Sequence, residues 1–265
     1  MREGIPRPLS LAFVATYLPR HCGIATFTYD LLTNLRALYG PKAGDVLHVL
    51  ALNNAIAEHE YPAEVRFVIR QQHKGDYREA AAFLNLSVHE VISLQHEFGI
   101  FGGEDGSHIV YLLENLEKPV VTTLHTVLEE PTSQQRDILK AVCALSTLLV
   151  VQAERATGML TQIYDVPEEK IVMIHHGAPN VPFLDPSYYK DGFQAEGRRV
   201  ILTFALLSPE KGIEYAIEAL ADVVEAIPDL LYMVLGATHP EVKRRHGEEY
   251  RVSLEALVKS KGLGA

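Results

Sequence analysis

Side chains able to move protons or grip hydroxyls gather just after short apolar runs in this chain. Thr16 leads to His21-Cys22-Gly23, and a later run ends in Gln95-His96-Glu97. Pro119 to Leu124 ends at His125, Thr147 to Val151 at Gln152, and Ile171 to Ile174 in His175-His176-Gly177. Imidazole, amide and carboxylate suit acid–base work, hydrogen bonding to hydroxyls, or metal ligation. Loops are polar for reasons of solvation alone, so one histidine after one run carries little. Polar groups after five such runs point to one shared site. His96, Glu97, His125 and His176 would suit zinc or iron as a mononuclear centre. Against a metal, none of them are paired at i, i+4 or as His-x-His.

Two further features fit phosphate. Gly23 opens a helix, where unpaired N–H groups and the helix dipole favour an anion and the missing side chain lets it approach. Glycine is also common in such loops for turn geometry alone. Ser208-Pro209-Glu210-Lys211-Gly212 reads as a helix start, with Ser208 as N-cap and Pro209 at the first position. Lys211 then sits in the first turn, where a cation is disfavoured by up to ~1 kcal/mol. A bound phosphate would reverse that sign; the alternative is a solvated lysine beside Glu210.

The elements that must position these groups alternate strand and helix. Leu9 to Thr16 reads as a buried first strand, and Ile24, Phe27, Leu31, Leu35 and Leu38 as the stripe of the first helix. Strands follow over Asp45–Leu52, Val65–Ile69, Glu90–Leu94, Pro119–Leu124, Thr147–Val151 and Ile171–Ile174. Helices are expected over Asp76–Leu86 (Asp76 as N-cap), Ile109–Leu116, Ile138–Leu145 and Ala153–Tyr164. Continuous apolar strands joined by helices predict a doubly wound parallel sheet, Rossmann-like, over residues 1–177. Residues 178–198 carry scattered proline and glycine without periodicity and read as a linker. A second Rossmann-like unit is expected over 199–265: a strand at Arg199–Ala205, a helical stripe from Ile213 to Ile227, a strand at Leu230–Leu235, and one last helix within 241–261.

The chain has 265 residues, 48% of them apolar, with a formal net charge of −10 and two cysteines. The negative charge weighs against a nucleic-acid surface and against a broad basic face for anionic lipid. Cys22 and Cys143 fit no metal spacing or disulfide framework, which suits a reducing compartment. Arg2 and Arg7 before the run Leu9–Leu18 could flank a signal peptide, but no small-x-small cleavage site closes the run. With no stretch near the ~20 apolar residues of a membrane span, the expected location is cytoplasmic.

Taken together, these segments resemble glycosyltransferase family 4, whose members have the GT-B architecture of two facing Rossmann-like domains. The segments Tyr17-Leu18-Pro19-Arg20-His21-Cys22-Gly23-Ile24-Ala25-Thr26-Phe27-Thr28 and Gln95-His96-Glu97-Phe98-Gly99-Ile100-Phe101-Gly102-Gly103 resemble loops of one branch of that family. Leu124-His125-Thr126 matches a histidine that lies near the donor sugar. His175-His176-Gly177-Ala178 falls at the family's Asn-Gly-Val junction between domains. Ser208 to Gly212 resembles its Glu-Lys-Gly motif, whose lysine contacts the donor diphosphate. The resemblance implies transfer of a sugar from a nucleotide-diphosphate sugar to an acceptor hydroxyl with retention, without metal or cofactor. His125 would be the catalytic-site histidine, and Gly23, Ser208, Lys211 and Gly212 the donor-phosphate group. His96, Glu97 and His176 would line the sugar or acceptor cleft.

The sequence departs from the family where many members have Gly-Arg-Leu before Glu-Lys-Gly. Here Ala205-Leu206-Leu207 stands in that place, and the second cation is absent. The family's later paired-glutamate motif does not occur before Ala265. The expectation is therefore a complete first domain, a truncated donor domain, impaired transfer, and self-association through an incomplete sheet. Two other readings stay open: a non-catalytic sugar- or nucleotide-binding protein, and a metal-dependent hydrolase using the histidine cluster.

Overall fold

A computed structural model describes residues 8–54, 59–178 and 180–263. Arg2 and Arg7, weighed as a signal-peptide flank, and Pro179 of the expected linker lie outside the described residues. The chain divides into two compact units, Met1–Ala178 and Pro179–Ala265.

In the first unit the order is β1 (Leu11–Ala15), α1 (Gly23–Tyr39), β2 (Leu47–Asn53), β3 (Val65–Arg70) and α2 (Lys74–Leu86). It continues with β4 (Val91–His96), α3 (Ile109–Leu113), β5 (Val120–Leu124), α4 (Ser133–Leu145), β6 (Leu148–Val151), α5 (Glu154–Ile163) and β7 (Ile171–Met173). The seven strands form one sheet in the order β3-β2-β1-β4-β5-β6-β7. Every neighbouring pair is parallel. β1 is apolar throughout because both of its faces are covered. Ala12 and Val14 pack with Leu50, Ile92 and Ile109 on one side. Phe13 packs with Leu32 and Val49 on the other. The doubly wound α/β arrangement expected from the alternation is therefore present. Strand order reverses between β1 and β4, so the loops after them diverge and leave a crevice at the carboxyl edge, where ligands of such sheets bind.

Several boundaries differ from expectation for local reasons. The second helix begins at Lys74 rather than Asp76, with His73 at the N-cap. Asp76 lies in the first turn, and its carboxylate accepts hydrogen bonds from Arg70 N at 2.9 Å and from Arg70 Nε and Nη2 at 2.8 Å each. It thus ties the end of β3 to α2 rather than capping the helix. The stripe expected to run to Leu116 is helical only to Leu113. α4 starts on a capping box, with Thr132 Oγ1 accepting from Gln135 N at 3.1 Å and Gln135 Oε1 from Thr132 N at 3.0 Å.

In the second unit, residues read as a linker without periodicity hold α6 (Pro186–Lys190), whose N-cap Asp185 accepts from Ser187 N at 2.8 Å. β8 (Arg199–Phe204) and β9 (Leu230–Leu235) form a parallel pair. α7 (Ile213–Ala226) packs Ile213 and Ile217 against Leu207 and Leu254. The single last helix expected within 241–261 is two, α8 (Pro240–His246) and α9 (Glu249–Ser260). Gly247 separates them at φ +60°, a left-handed conformation that stops the first helix. The face of β8 and β9 bearing Val200, Leu202, Met233 and Leu235 lines a cleft of about 370 Å³ with Leu184 and Tyr189. No helix among the described residues is long and apolar enough to cross a membrane.

Candidate functional site

The carboxyl edge of the first sheet brings together groups from β1, β4, β5 and β7. Cys22 caps α1: its Sγ accepts from Ala25 N at 3.4 Å and pairs with Thr16 Oγ1 at 3.0 Å. Gly23 follows as the first helical residue and is exposed. A Cβ built there meets nothing within 4 Å, so space lies open over the helix start. One turn further along the same face, Phe27 meets His125 edge-on with ring centroids 4.7 Å apart. The same ring meets His176 at 5.3 Å. The structure thus gathers His125 and His176 around Phe27, one helical turn from Gly23.

His125 is held from the sheet side as well. Its N–H donates to the carbonyl of His96 at 3.0 Å, extending the β4–β5 ladder past the strand ends. Its Nε2 lies 3.0 Å from Oε1 of the fully buried Gln95. Burial first, and the neighbouring His176 second, lower its pKa to about 4, so the imidazole is neutral at pH 7.

His96 is completely buried between aromatic rings, at 5.2 Å from Phe98 and stacked at 5.7 Å on Phe101. Neither ring nitrogen has a hydrogen-bond partner among the described residues. Burial pushes its pKa down to about 3, which keeps it uncharged. Glu97 leaves the strand toward β5 and accepts a 2.5 Å hydrogen bond from Thr126 Oγ1. His176 donates from Nδ1 to the Gly177 carbonyl at 2.8 Å and is exposed.

Ser208, Lys211 and Gly212 form their own cluster in the second unit, arranged differently from expectation. Pro209–Lys211 is a single 3-10 turn, and α7 begins only at Ile213. The reason is Gly212, left-handed at φ +61°, which breaks the helical run. A Cβ at Gly212 would also sit 3.0 Å from the Tyr215 ring. Ser208 is buried and its side chain makes no capping bond, so it is not the N-cap of α7. Lys211 accordingly lies just before the α-helix rather than in its first turn. It is exposed, and no hydrogen bond or ion pair holds its ammonium among the described residues.

Among the described residues no group of three His, Cys, Asp or Glu side chains converges as a metal site. The metal-hydrolase reading thus has no ligand set there. Two residues without an assigned role also belong to the site. By spacing Phe27 belongs to the core stripe of the first helix, and its half-burial facing two histidines has no signature in that spacing. Gln95 was visible only as one of several polar residues at strand ends.

The fold built around this edge is that of glycosyltransferases of the GT-B type. The HepE protein of Anabaena, solved in complex with UDP, superposes with a TM-score of 0.66 at 16% identity over 96% of this chain and 67% of its own. A glycosyltransferase of Rickettsia africae gives 0.66 at 14% identity over 96% and 66%. The trehalose-6-phosphate synthase OtsA gives 0.61 at 12% over 95% and 70%. The chain therefore spans about two thirds of the length of these structures. No protein-family model matches the chain, and no curated protein matches it in sequence.

Proposed function

We propose that this chain binds a nucleotide-diphosphate sugar and serves in transfer of the sugar to an acceptor hydroxyl, with retention at the anomeric carbon, as in family 4. The observation that carries the reading is the open helix start at Gly23, one turn from Phe27 and the neutral His125. A helix N-terminus without a side chain accepts phosphate oxygens. A neutral imidazole beside it can hydrogen-bond a sugar hydroxyl without adding charge. The UDP bound to the HepE protein supports a nucleotide ligand. The glycosyl transfer with retention described for a trehalose-6-phosphate synthase of the same fold supports the stereochemistry.

The chemical demand of the step is to stabilise charge on the departing diphosphate while the bond to the anomeric carbon breaks, the acceptor oxygen bonds that carbon, and the acceptor's hydroxyl proton passes to the departing diphosphate. Lys211, exposed and unpaired among the described residues, supplies a cation for that charge. Ser208 and Gly212 shape the turn that presents it. Glu97 is assigned to the acceptor side and His176 to the sugar cleft beside Phe27, while the fully buried His96 backs that edge without touching the acceptor. No metal or cofactor enters this scheme, and the cytoplasm is the proposed location. The exposed apolar face of β8 and β9 favours self-association.

The test is release of nucleoside diphosphate from a panel of UDP-, GDP- and ADP-sugars, with the anomeric configuration of the product read by NMR. Lys211→Ala is expected to lower kcat/KM about 10²-fold with an unchanged thermal midpoint. Stoichiometric binding without any release would assign the chain to the non-catalytic binding class instead. An inverted product would contradict the stereochemistry.

A further inference from the structure

We propose that Gln95 is a positioning residue that fixes His125 as its Nε2–H tautomer, leaving Nδ1 as a hydrogen-bond acceptor for a hydroxyl of the ligand. The proposal rests on the reading of His125 as the group that contacts the sugar, and it specifies what that contact is.

Gln95 is fully buried near the end of β4, so both ends of its amide need partners. Its Nε2 donates to Ser93 Oγ at 3.1 Å. That bond orients the amide and turns Oε1 toward His125 Nε2, 3.0 Å away. An amide oxygen only accepts, so the proton of this hydrogen bond belongs to the imidazole Nε2. In the neutral ring the lone pair is then on Nδ1, which has no hydrogen-bond partner among the described residues. His125 is half-buried, its main chain is pinned to the His96 carbonyl at 3.0 Å, and the edge contact with Phe27 restricts the ring.

The second histidine on Phe27 is held in the opposite tautomer. His176 donates from Nδ1 to the Gly177 carbonyl at 2.8 Å, so in the neutral ring its lone pair is on Nε2. Two imidazoles flanking one aromatic ring thus offer acceptors rather than donors. A phosphate oxygen, itself an acceptor, gains nothing from such nitrogens. A sugar hydroxyl, which can donate, does. The chemistry of this part of the edge therefore favours the sugar over the phosphates, and Gln95 determines that preference without touching the ligand.

The experiment is long-range ¹H–¹⁵N NMR on the full chain with labelled histidine, His125 being assigned by the signal lost in His125→Asn. The expected result is a protonated Nε2 and an unprotonated Nδ1 on His125 at pH 7.5. Gln95→Met, of similar shape but without the acceptor, is expected to give a mixture of tautomers and to raise the KM for donor about tenfold. Gln95→Glu keeps an acceptor and adds charge. It is expected to retain the Nε2–H tautomer and move the acidic limb of the activity profile to higher pH. A wild-type His125 protonated at Nδ1, or a tautomer unchanged in Gln95→Met, overturns the proposal whatever the activity. If the tautomers behave as expected but no nucleotide sugar is bound, the positioning role stands and the assignment of His125 to a sugar falls.

Discussion

The ring of Phe27 meets that of His125 edge-on, with centroids 4.7 Å apart and planes at 85°. This contact links the helix that opens at Gly23 to the strand-end histidine of β5. An edge-to-face aromatic pair contributes ~1 kcal/mol beyond area burial. Phe27→Leu keeps an apolar group but loses the pair. The expected outcome is a stability loss of ~1 kcal/mol in a urea titration and a several-fold rise in donor KM. Unchanged donor affinity in a folded variant would remove Phe27 from the site.

Gly23 separates stability from binding. Alanine in place of a helical glycine stabilises by ~0.5–1 kcal/mol, and a Cβ here clashes with nothing in the free protein. Gly23→Ala is therefore expected to raise the thermal midpoint while weakening binding of nucleoside diphosphate at least several-fold. A variant that is both more stable and binds as before would show that no phosphate approaches this backbone.

His96 places a cost in the core. An imidazole buried with both nitrogens unpaired costs ~1–3 kcal/mol relative to an apolar side chain that fits. His96→Leu, of similar volume, is expected to raise stability and to lower acceptor use in the transfer assay. Equal activity would make His96 a packing residue.

The pH dependence follows from the same burial. His89 and His125 have pKa values lowered to about 4, and His96 to about 3, each chiefly by burial. In the unfolded chain a histidine titrates near ~6.5. Above that value both states are neutral and these residues leave stability independent of pH. As the pH falls below ~6.5 the unfolded state binds protons first, so stability declines, until about pH 4 for His89 and His125 and about pH 3 for His96. Urea midpoints at pH 7.5 and pH 5 measure this: the expected result is a clear drop at pH 5, smaller in His96→Leu. A flat response would mean these imidazoles are solvated.

On the β8–β9 pair, Leu202 is 54% exposed and Phe204 82%. Such surface drives association. Light scattering is expected to show a mass that grows with concentration, and Phe204→Lys to reduce it. A monomer at all concentrations would count against self-association.

The sheet was readable in the sequence because its strands are covered on both faces and so appear as unbroken apolar runs, as at Ala12–Ala15. The strand-end histidines were readable because their type is rare and their placement recurrent. Local conformational breaks were not. Glu210-Lys211-Gly212 reads as a helix start, yet Gly212 takes a left-handed conformation and delays α7 by a full step. Gly247 divides the last helix in the same way. The parts played by Gln95 and Phe27 are not legible in the sequence, because they depend on a partner 30 or more residues away in the chain, at His125. Spacing along one element does not encode such a contact.

Binding of a nucleotide is what the open helix start at Gly23 requires. Calorimetric titration of the chain with UDP, GDP, ADP and their sugars is expected to show one nucleotide family binding at one site per chain. That binding should weaken in Gly23→Ala and again in Lys211→Ala. An absence of binding heat for every nucleotide and nucleotide sugar, with the wild-type chain folded, would contradict it.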